Sequence, residues 1–190
     1  MLERAEVERS LRAAWDLFLD RPDAMDGFDL SEEGFWRSFR AIALVVPLFV
    51  LGLLAQLRLT DTWAQGLGFW VLNGILLVLD WFAFPLLLAL VAGPLGIGRR
   101  YAAFIIARNW ASVWAYALMG AISFLVVLGL IGPESGMLLI GIAWLVVLYY
   151  AFIVARRGLE AGILLAVGVV IADTALSLTL SQLIDWLAGG

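Results

Sequence analysis

Two aspartates stand in the middle of long apolar segments, where a charged group is costly and therefore informative. Asp80 lies near the centre of an apolar stretch over residues 66–92, and Asp173 lies near the centre of another over 161–187. An ionised side chain at the centre of a membrane helix costs about 2.5–3.5 kcal/mol or more. Each aspartate must therefore be paired, protonated or hydrated, and we expect both to face the interior of a helix bundle.

Other polar residues recur on the helix faces of these two aspartates. Asn73 precedes Asp80 by seven residues, and Ser177 and Ser181 follow Asp173 at intervals of four. Residues four or seven apart share one face of an α-helix. The spacing predicts two polar stripes that face the inside of the bundle.

A third polar stripe begins with Arg108 and Asn109 and continues along the apolar segment that follows them. Arginine has a long side chain, and its planar fork suits a carboxylate. We predict that Arg108 points into the bundle, toward the interface of the second and fifth apolar segments. The three stripes predict that the second, third and fifth segments form the interior and that the first and fourth are peripheral.

The residues leave two interpretations of these polar groups open. In the functional one, Asp80 and Asp173 line a proton, ion or substrate path in a small transporter or channel subunit. In the structural interpretation, the two aspartates form hydrogen bonds that fix the register of the helices. Secondary transporters are commonly built from paired halves, and the sequence contains no internal repeat, which favours the structural interpretation.

The apolar residues lie in five blocks of about 20 residues, the length that crosses the hydrocarbon core of a bilayer. The chain is 64% hydrophobic and 15% charged, against about 45–50% and 25% in soluble domains. We predict an all-α polytopic integral membrane helix bundle. Its five transmembrane helices are predicted at 39–57, 66–92, 108–131, 136–154 and 161–187.

An amphipathic helix is predicted before the first span. Over residues 2–19, apolar residues recur at helical spacing opposite charged ones, and we expect this helix to lie on the membrane surface or against the bundle. The organisation is then a cytoplasmic amphipathic helix and acidic linker (1–38), a five-helix transmembrane domain (39–187) and a C-terminal tail (188–190).

Arginine placement predicts the orientation. With the N-terminus in the cytoplasm, eleven of the twelve arginines lie inside and only Arg58 lies outside, as the positive-inside rule requires. The C-terminus is then outside. The loop residues Arg99, Arg100, Arg156 and Arg157 form a basic collar that either binds anionic lipid headgroups or serves topology alone.

Tryptophans near the predicted helix ends are typical of the aromatic belts at the two membrane surfaces. Four residues occupy such positions: Trp36, Trp63, Trp110 and Trp186.

Composition excludes several classes of chemistry. The chain has no cysteine and no histidine, and all its basic residues are arginines, so thiol, haem, structural-zinc and Ser-His-Asp chemistry lack their usual residues. We expect no catalytic residue, no cofactor and no metal. The net charge of −4 gives no reason to expect a nucleic-acid partner.

The order of elements resembles the Yip1-domain membrane proteins. The resemblance rests on a polar N-terminus, five spans, the basic lead-in RRYAAFIIARNWASVW and the segment LYYAFIVARRGLEAGILLAVGVVIADTAL. It covers residues 39–187 and is architectural, so no functional residue is carried over. Eukaryotic members of that family are implied in membrane traffic through protein partners, whereas bacterial members have no settled activity.

We therefore expect a non-enzymatic scaffold, assembly or lipid-organising protein, with the transporter or channel subunit as the alternative. Its expected partners are membrane lipids and other membrane proteins or further copies of itself. The arginine-only, alanine- and leucine-rich composition indicates a GC-rich bacterial genome and hence the inner membrane.

Overall fold

The computed structural model describes residues 4–62 and 65–189, and the regular elements within these ranges are all helical. Five helices are long and apolar enough to cross a membrane, which confirms the all-α architecture with five spans. The helices are α1 (Arg4–Phe18), α2 (Glu32–Ser38), α3 (Ile42–Thr60), α4 (Leu67–Ala92), α5 (Tyr101–Val127), α6 (Pro133–Gly158) and α7 (Ile163–Gly189).

Helix α1 is amphipathic, as predicted, and it packs on the bundle, where it contacts α5 and α6. It buries Leu17 and the small residues beside it. The indole Nε1 of Trp114 donates to the backbone carbonyl of Leu11 at 2.8 Å, and the Tyr150 hydroxyl donates to the carbonyl of Ala14 at 2.5 Å. Side chains of two spans therefore hold the backbone of α1.

Helix α2 begins at an N-cap that the sequence encodes. The Ser31 hydroxyl accepts from the backbone N–H of Gly34 at 3.0 Å, and Glu32 and Glu33 lie in the first turn, where the helix dipole favours negative charge. A short 3-10 turn (Phe39–Ala41) joins α2 to α3. The first candidate span therefore reaches from Glu32 to Thr60.

The third span ends four residues earlier than predicted, at Val127 rather than at 131. Gly129 adopts a φ of +73°, a left-handed conformation that glycine reaches without steric cost. The backbone N–H of Leu130 then bonds the carbonyl of Leu125 at 3.0 Å, which closes the helix as in a Schellman motif. At the other end of the chain, α7 continues to Gly189, and Gly190 of the predicted tail lies outside the described residues.

Helix α5 is the centre of the bundle, with α3 and α6 packed extensively against it. The prediction that the first and fourth spans are peripheral is therefore wrong. Close packing follows small residues rather than polar ones. A Cβ on Gly158 of α6 would lie 2.9 Å from the Cα of Phe104, and one on Gly120 of α5 would lie 3.1 Å from the side chain of Leu48.

Helices α4 and α7 form a pair at one side of this centre. They pack on each other, and α7 also packs on α6. Within the described residues, their backbones make only sparse contact with α5. Polar side chains from α4, α5 and α7 occupy this junction.

One end of the bundle gathers α1, the linker that follows it and the loops 93–100 and 159–162; we call it the arginine-rich end. Arg157, near the end of α6, pairs with Asp20 of the linker. Arg100 of the loop 93–100 pairs with Glu160 of the loop 159–162. These contacts bring the linker and the two loops to the same end of the bundle, as alternating spans require.

The four tryptophans of the predicted belts differ in position. Trp36 and Trp186 are exposed, as a belt requires, whereas Trp110 is only 1% exposed. The prediction for Trp110 is wrong because it faces the core around α5. Trp63 lies outside the described residues.

Candidate functional site

The polar stripes of α4, α5 and α7 meet at one place inside the bundle. Arg108 lies seven residues into α5, Asp173 ten residues into α7, and Asp80 twelve residues from the end of α4. All three helix ends belong to the arginine-rich end. At 1.5 Å of rise per residue, the three side chains start about 10–18 Å from it.

Arg108 and Asp173 form a bidentate ion pair across the junction of α5 and α7. The Nε of Arg108 donates to Oδ2 of Asp173 at 3.0 Å, and one terminal nitrogen donates to Oδ1 at 2.8 Å. The side chains are 13% and 25% exposed. The prediction that Arg108 points into the bundle is confirmed, and such two-point pairs fix orientation as well as charge.

The guanidinium of Arg108 also lies over an aromatic ring of α4. Its Cζ is 5.2 Å from the ring centroid of Phe84, within the range of a cation–π contact. On its own helix, the backbone carbonyl of Arg108 accepts from the Ser112 hydroxyl at 2.8 Å. The guanidinium of Arg108 is therefore held by contacts with two other helices, α4 and α7.

Asp80 has a different partner. Its Oδ1 accepts a hydrogen bond from the hydroxyl of Ser177 on α7. Among the described side chains, no guanidinium forms an ion pair with Asp80. This bond ties α4 to α7, while the Arg108–Asp173 pair ties α7 to α5.

The contacts fall into two neighbouring layers. Asp173 and Ser177 are one turn apart on α7, and Phe84 and Asp80 are one turn apart on α4. These two helices run in opposite directions. Asp173 therefore lies level with Phe84 and Arg108 in one layer, and Ser177 lies level with Asp80 in a second layer, one turn farther from the arginine-rich end. We call the four residues Asp80, Arg108, Asp173 and Ser177 the polar cluster.

The polar cluster holds two carboxyl groups and one guanidinium. With both carboxyls ionised, it would carry one uncompensated negative charge in an apolar surrounding, which is costly. The binding of one further positive charge within the polar cluster is therefore favoured.

Two of the predicted site residues lie outside these contacts. The side-chain amide of Asn73 donates to the carbonyl of Phe69 on its own helix at 2.9 Å. Ser181 lies one turn beyond Ser177 on the same face of α7 and is half-buried. Both side chains are half-buried, and helical spacing does not predict a partner for either of them.

Asn109 turns away from the polar cluster, because neighbouring residues on a helix point about 100° apart. Its side-chain nitrogen donates to the Ser38 hydroxyl at 3.0 Å, and both side chains are buried. The other amide atom, Oδ1, is buried without a hydrogen-bond partner in the described residues. Sequence reasoning missed Ser38, and only its position at the end of α2 hints at a role in docking that helix.

The four arginines of the basic collar separate into two kinds. Arg100 pairs with Glu160, and Arg157 pairs with Asp20 at 2.8 Å. Arg99 and Arg156 are exposed and make no ion pair with a described side chain. Two of the four arginines predicted to bind lipid headgroups therefore form ion pairs within the chain instead.

Arg37 joins α2 to α1 and the linker. Its Nε donates to Glu6 at 2.8 Å, and its terminal nitrogens reach Glu33 and Asp29. Hydrogen bonds from Ser31 lower the pKa of Asp29, and the positive charge of Arg37 lowers that pKa further. The N-terminal segment is thus fixed by charged contacts as well as by the apolar face of α1.

An apolar cavity of about 290 Å³ lies between α1, α5 and α6. Its walls include Trp15, Phe18, Trp114, Leu118 and Tyr150. The indole nitrogen of Trp114 and the hydroxyl of Tyr150 are already bonded to the backbone of α1. The lining therefore offers apolar surface and few free polar atoms.

Within the described ranges, no three acidic side chains gather where they could hold a metal ion. Comparison of the chain with protein-family models, with curated proteins and with solved structures finds no match.

Proposed function

We propose that this protein is a non-enzymatic integral membrane scaffold, which acts in assembly or in organising lipids. Its spans hold a folded N-terminal segment at the membrane surface, and that segment and the outer faces of the helices are the surfaces offered to partners. The five helices that are long and apolar enough to cross a membrane support a multi-pass membrane protein.

The main support is the Arg108–Asp173 pair. A bidentate pair that is mostly buried between α5 and α7 resists separation of those helices, because either charge left alone there would cost about 3–5 kcal/mol. The Ser177–Asp80 bond acts in the same way between α4 and α7. Hydrogen bonds between polar side chains of different helices fix the relative position of those helices.

The attachment of the N-terminal segment supports the same function. Trp114 and Tyr150 bond the backbone of α1, Arg157 pairs with Asp20, and Asn109 bonds Ser38. These contacts leave Trp36 of α2 exposed. A rigid surface of this kind suits the binding of another protein.

The proposed location is the inner membrane of a bacterium, with the N-terminus in the cytoplasm and the C-terminus outside. The arginine asymmetry and the positive-inside rule support this orientation. The resemblance to Yip1-domain proteins is also part of the proposal; protein partners are implied for the eukaryotic members of that family, whereas its bacterial members have no settled activity.

Anionic lipids are the second proposed class of partner. Arg156 lies on the exposed stripe of α6 that also includes Leu138, Ile142, Leu145 and Tyr149. An arginine at the end of a lipid-facing stripe reaches the headgroup level. Arg99 of the loop 93–100 is equally exposed.

The test uses the absence of cysteine in the chain. Single cysteines at Trp36, Leu86, Leu145 and Leu164, each exposed, are labelled with a photoreactive maleimide in native membranes and irradiated. A scaffold gives a defined cross-linked product from at least one face, and a cysteine at the buried position Ala107 is the control. The absence of any product from all four faces contradicts the proposal.

A transporter or channel subunit is the second candidate, because the polar cluster holds one more carboxyl than it has cations. The test is a flux assay in proteoliposomes with a pH-sensitive dye inside. A proton flux that is present with the wild type and absent with Asp80→Asn favours this candidate. Equal dye responses in proteoliposomes and in protein-free liposomes exclude a proton path.

A further inference from the structure

We propose that Asp80 is an intramembrane proton-binding site, at which one proton offsets the negative charge that Arg108 leaves uncompensated. The site is independent of the proposed function, because a scaffold and a transporter can both contain it. The polar cluster contains two carboxyl groups but one guanidinium, and the hydrogen bonds of that guanidinium go to only one of them.

The guanidinium is committed to Asp173. Both carboxylate oxygens of Asp173 accept from Arg108, at 3.0 and 2.8 Å. The ring of Phe84 lies 5.2 Å from the guanidinium carbon. Arg108 therefore supplies its directional hydrogen bonds to one carboxylate.

Asp80 is hydrogen-bonded to a hydroxyl group instead of a guanidinium. The Ser177 hydroxyl donates one hydrogen bond to it, which supplies a dipole but no formal charge. An ionised carboxylate in an apolar surrounding needs a positive charge beside it. A bound proton meets this need at Asp80 and leaves the Arg108–Asp173 pair neutral as a whole.

A proton suits this site better than a metal ion. Hard cations take six or more oxygen ligands, whereas Asp80 and Ser177 supply few, and Asp173 is already bonded to Arg108. The described residues contain no metal-binding group of three acidic side chains. Besides Arg108 and Asp173, the titratable group near Asp80 among the described side chains is the phenol of Tyr116 on α5, and a phenol is ordinarily neutral at physiological pH.

Loss of the proton would change the forces between helices. Asp80 on α4 and Asp173 on α7 would then both be negative, with the single guanidinium of Arg108 to offset them. Their repulsion acts on the two helices that the Ser177–Asp80 bond holds together. Because α7 also packs on α6, whereas α4 packs mainly on α7 and only sparsely on α5, α4 is the helix that responds most readily.

The experiment uses the full chain in phosphatidylcholine nanodiscs and the probe dicyclohexylcarbodiimide, an apolar reagent that modifies protonated carboxyl groups. Peptide mass spectrometry locates the adduct. We expect modification at Asp80 and at least tenfold less at Asp173, with the yield falling as the pH is raised. No adduct at Asp80, or an adduct mainly at Asp173, overturns the proposal.

A second measurement avoids the reagent. Infrared spectra of the wild type at neutral pH should contain a carboxylic-acid C=O band that shifts in D₂O and is missing in Asp80→Asn, while Asp26→Asn, at an exposed position, keeps it. A wild-type spectrum without this band contradicts the proposal even where a variant fails to fold. Protection of Asp80 from the reagent by NaCl, but not by choline chloride, would assign the site to sodium and overturn the proton assignment.

Discussion

The guanidinium of Arg108 faces the carboxylate of Asp173 across the junction of α5 and α7, and two hydrogen bonds of 3.0 and 2.8 Å join them. The pair lies inside the spanning part of the bundle, whereas Arg100 and Glu160 form their pair at its end. The same kind of contact therefore has different consequences in the two places.

Replacement of Arg108 should cost far more stability than replacement of Arg100. Arg108→Ala leaves Asp173 buried without its cation, and we expect a loss of about 3 kcal/mol or more. Arg100→Ala removes a pair whose side chains are 45% and 61% exposed, so its loss should be about 0–1 kcal/mol. Unfolding in detergent measures both.

The double variant Arg108→Leu with Asp173→Leu is the control for that comparison. It removes both charges, so it should recover a large part of the stability that either single change loses. Equal losses of stability from Arg108→Ala and Arg100→Ala would mean that Arg108, like the loop arginines, serves only to set the orientation of the chain in the membrane.

Gly158→Ala should separate α5 from α6. The added Cβ would lie 2.9 Å from the Cα of Phe104, and a backbone atom cannot move aside as a flexible side chain can. We expect a loss of about 1–3 kcal/mol. Gly141→Ala on the same helix meets nothing within 4 Å and should be neutral or slightly stabilising, because alanine favours the helix; a loss equal to that of Gly158→Ala would show that the contact is unimportant.

The proposed orientation predicts which single cysteines an impermeant maleimide reaches in intact cells. A cysteine at Thr62, in the loop after α3, should be labelled, and one at Gly162, in the loop before α7, should be protected. After cell lysis, both should react. Labelling of position 162 in intact cells would reverse the topology.

Arg156 and Arg157 should have different roles despite being neighbours. Arg156→Gln should weaken the binding of phosphatidylglycerol about fivefold, since one arginine near the membrane surface contributes about 1 kcal/mol. Arg157→Gln removes the contact with Asp20 and should leave lipid binding unchanged. Native mass spectrometry with phosphatidylglycerol and phosphatidylcholine measures the ratio, and equal effects of the two variants would contradict the division.

Asp29 predicts a pH dependence in the N-terminal segment. Its pKa is lowered in the folded chain by hydrogen bonds from Ser31 and by Arg37. The carboxylate therefore adds stability that is complete above the ordinary aspartate pKa of about 4. This stability is lost as the pH falls through the lowered pKa. Wild type should be more stable than Asp29→Asn at pH 7, and thermal melts at decreasing pH below 4 should bring the two together.

Local sequence determined the elements of this protein. Blocks of apolar residues predicted the five spans, because a helix in lipid must satisfy its own backbone and cover it with apolar side chains. Ser31 and the acidic residues after it set the start of α2, since capping depends on neighbours in the chain. The face occupied by Arg108 also followed from helical periodicity.

Tertiary structure decided which groups meet. Periodicity placed Asp80 and Asp173 on inward faces, but it did not assign Arg108 to one and Ser177 to the other, because that choice depends on the relative height and rotation of three helices. The central place of α5 was also missed. Polar stripes suggested one set of neighbours, whereas backbone contact is decided by where small residues such as Gly158 allow two helices to approach.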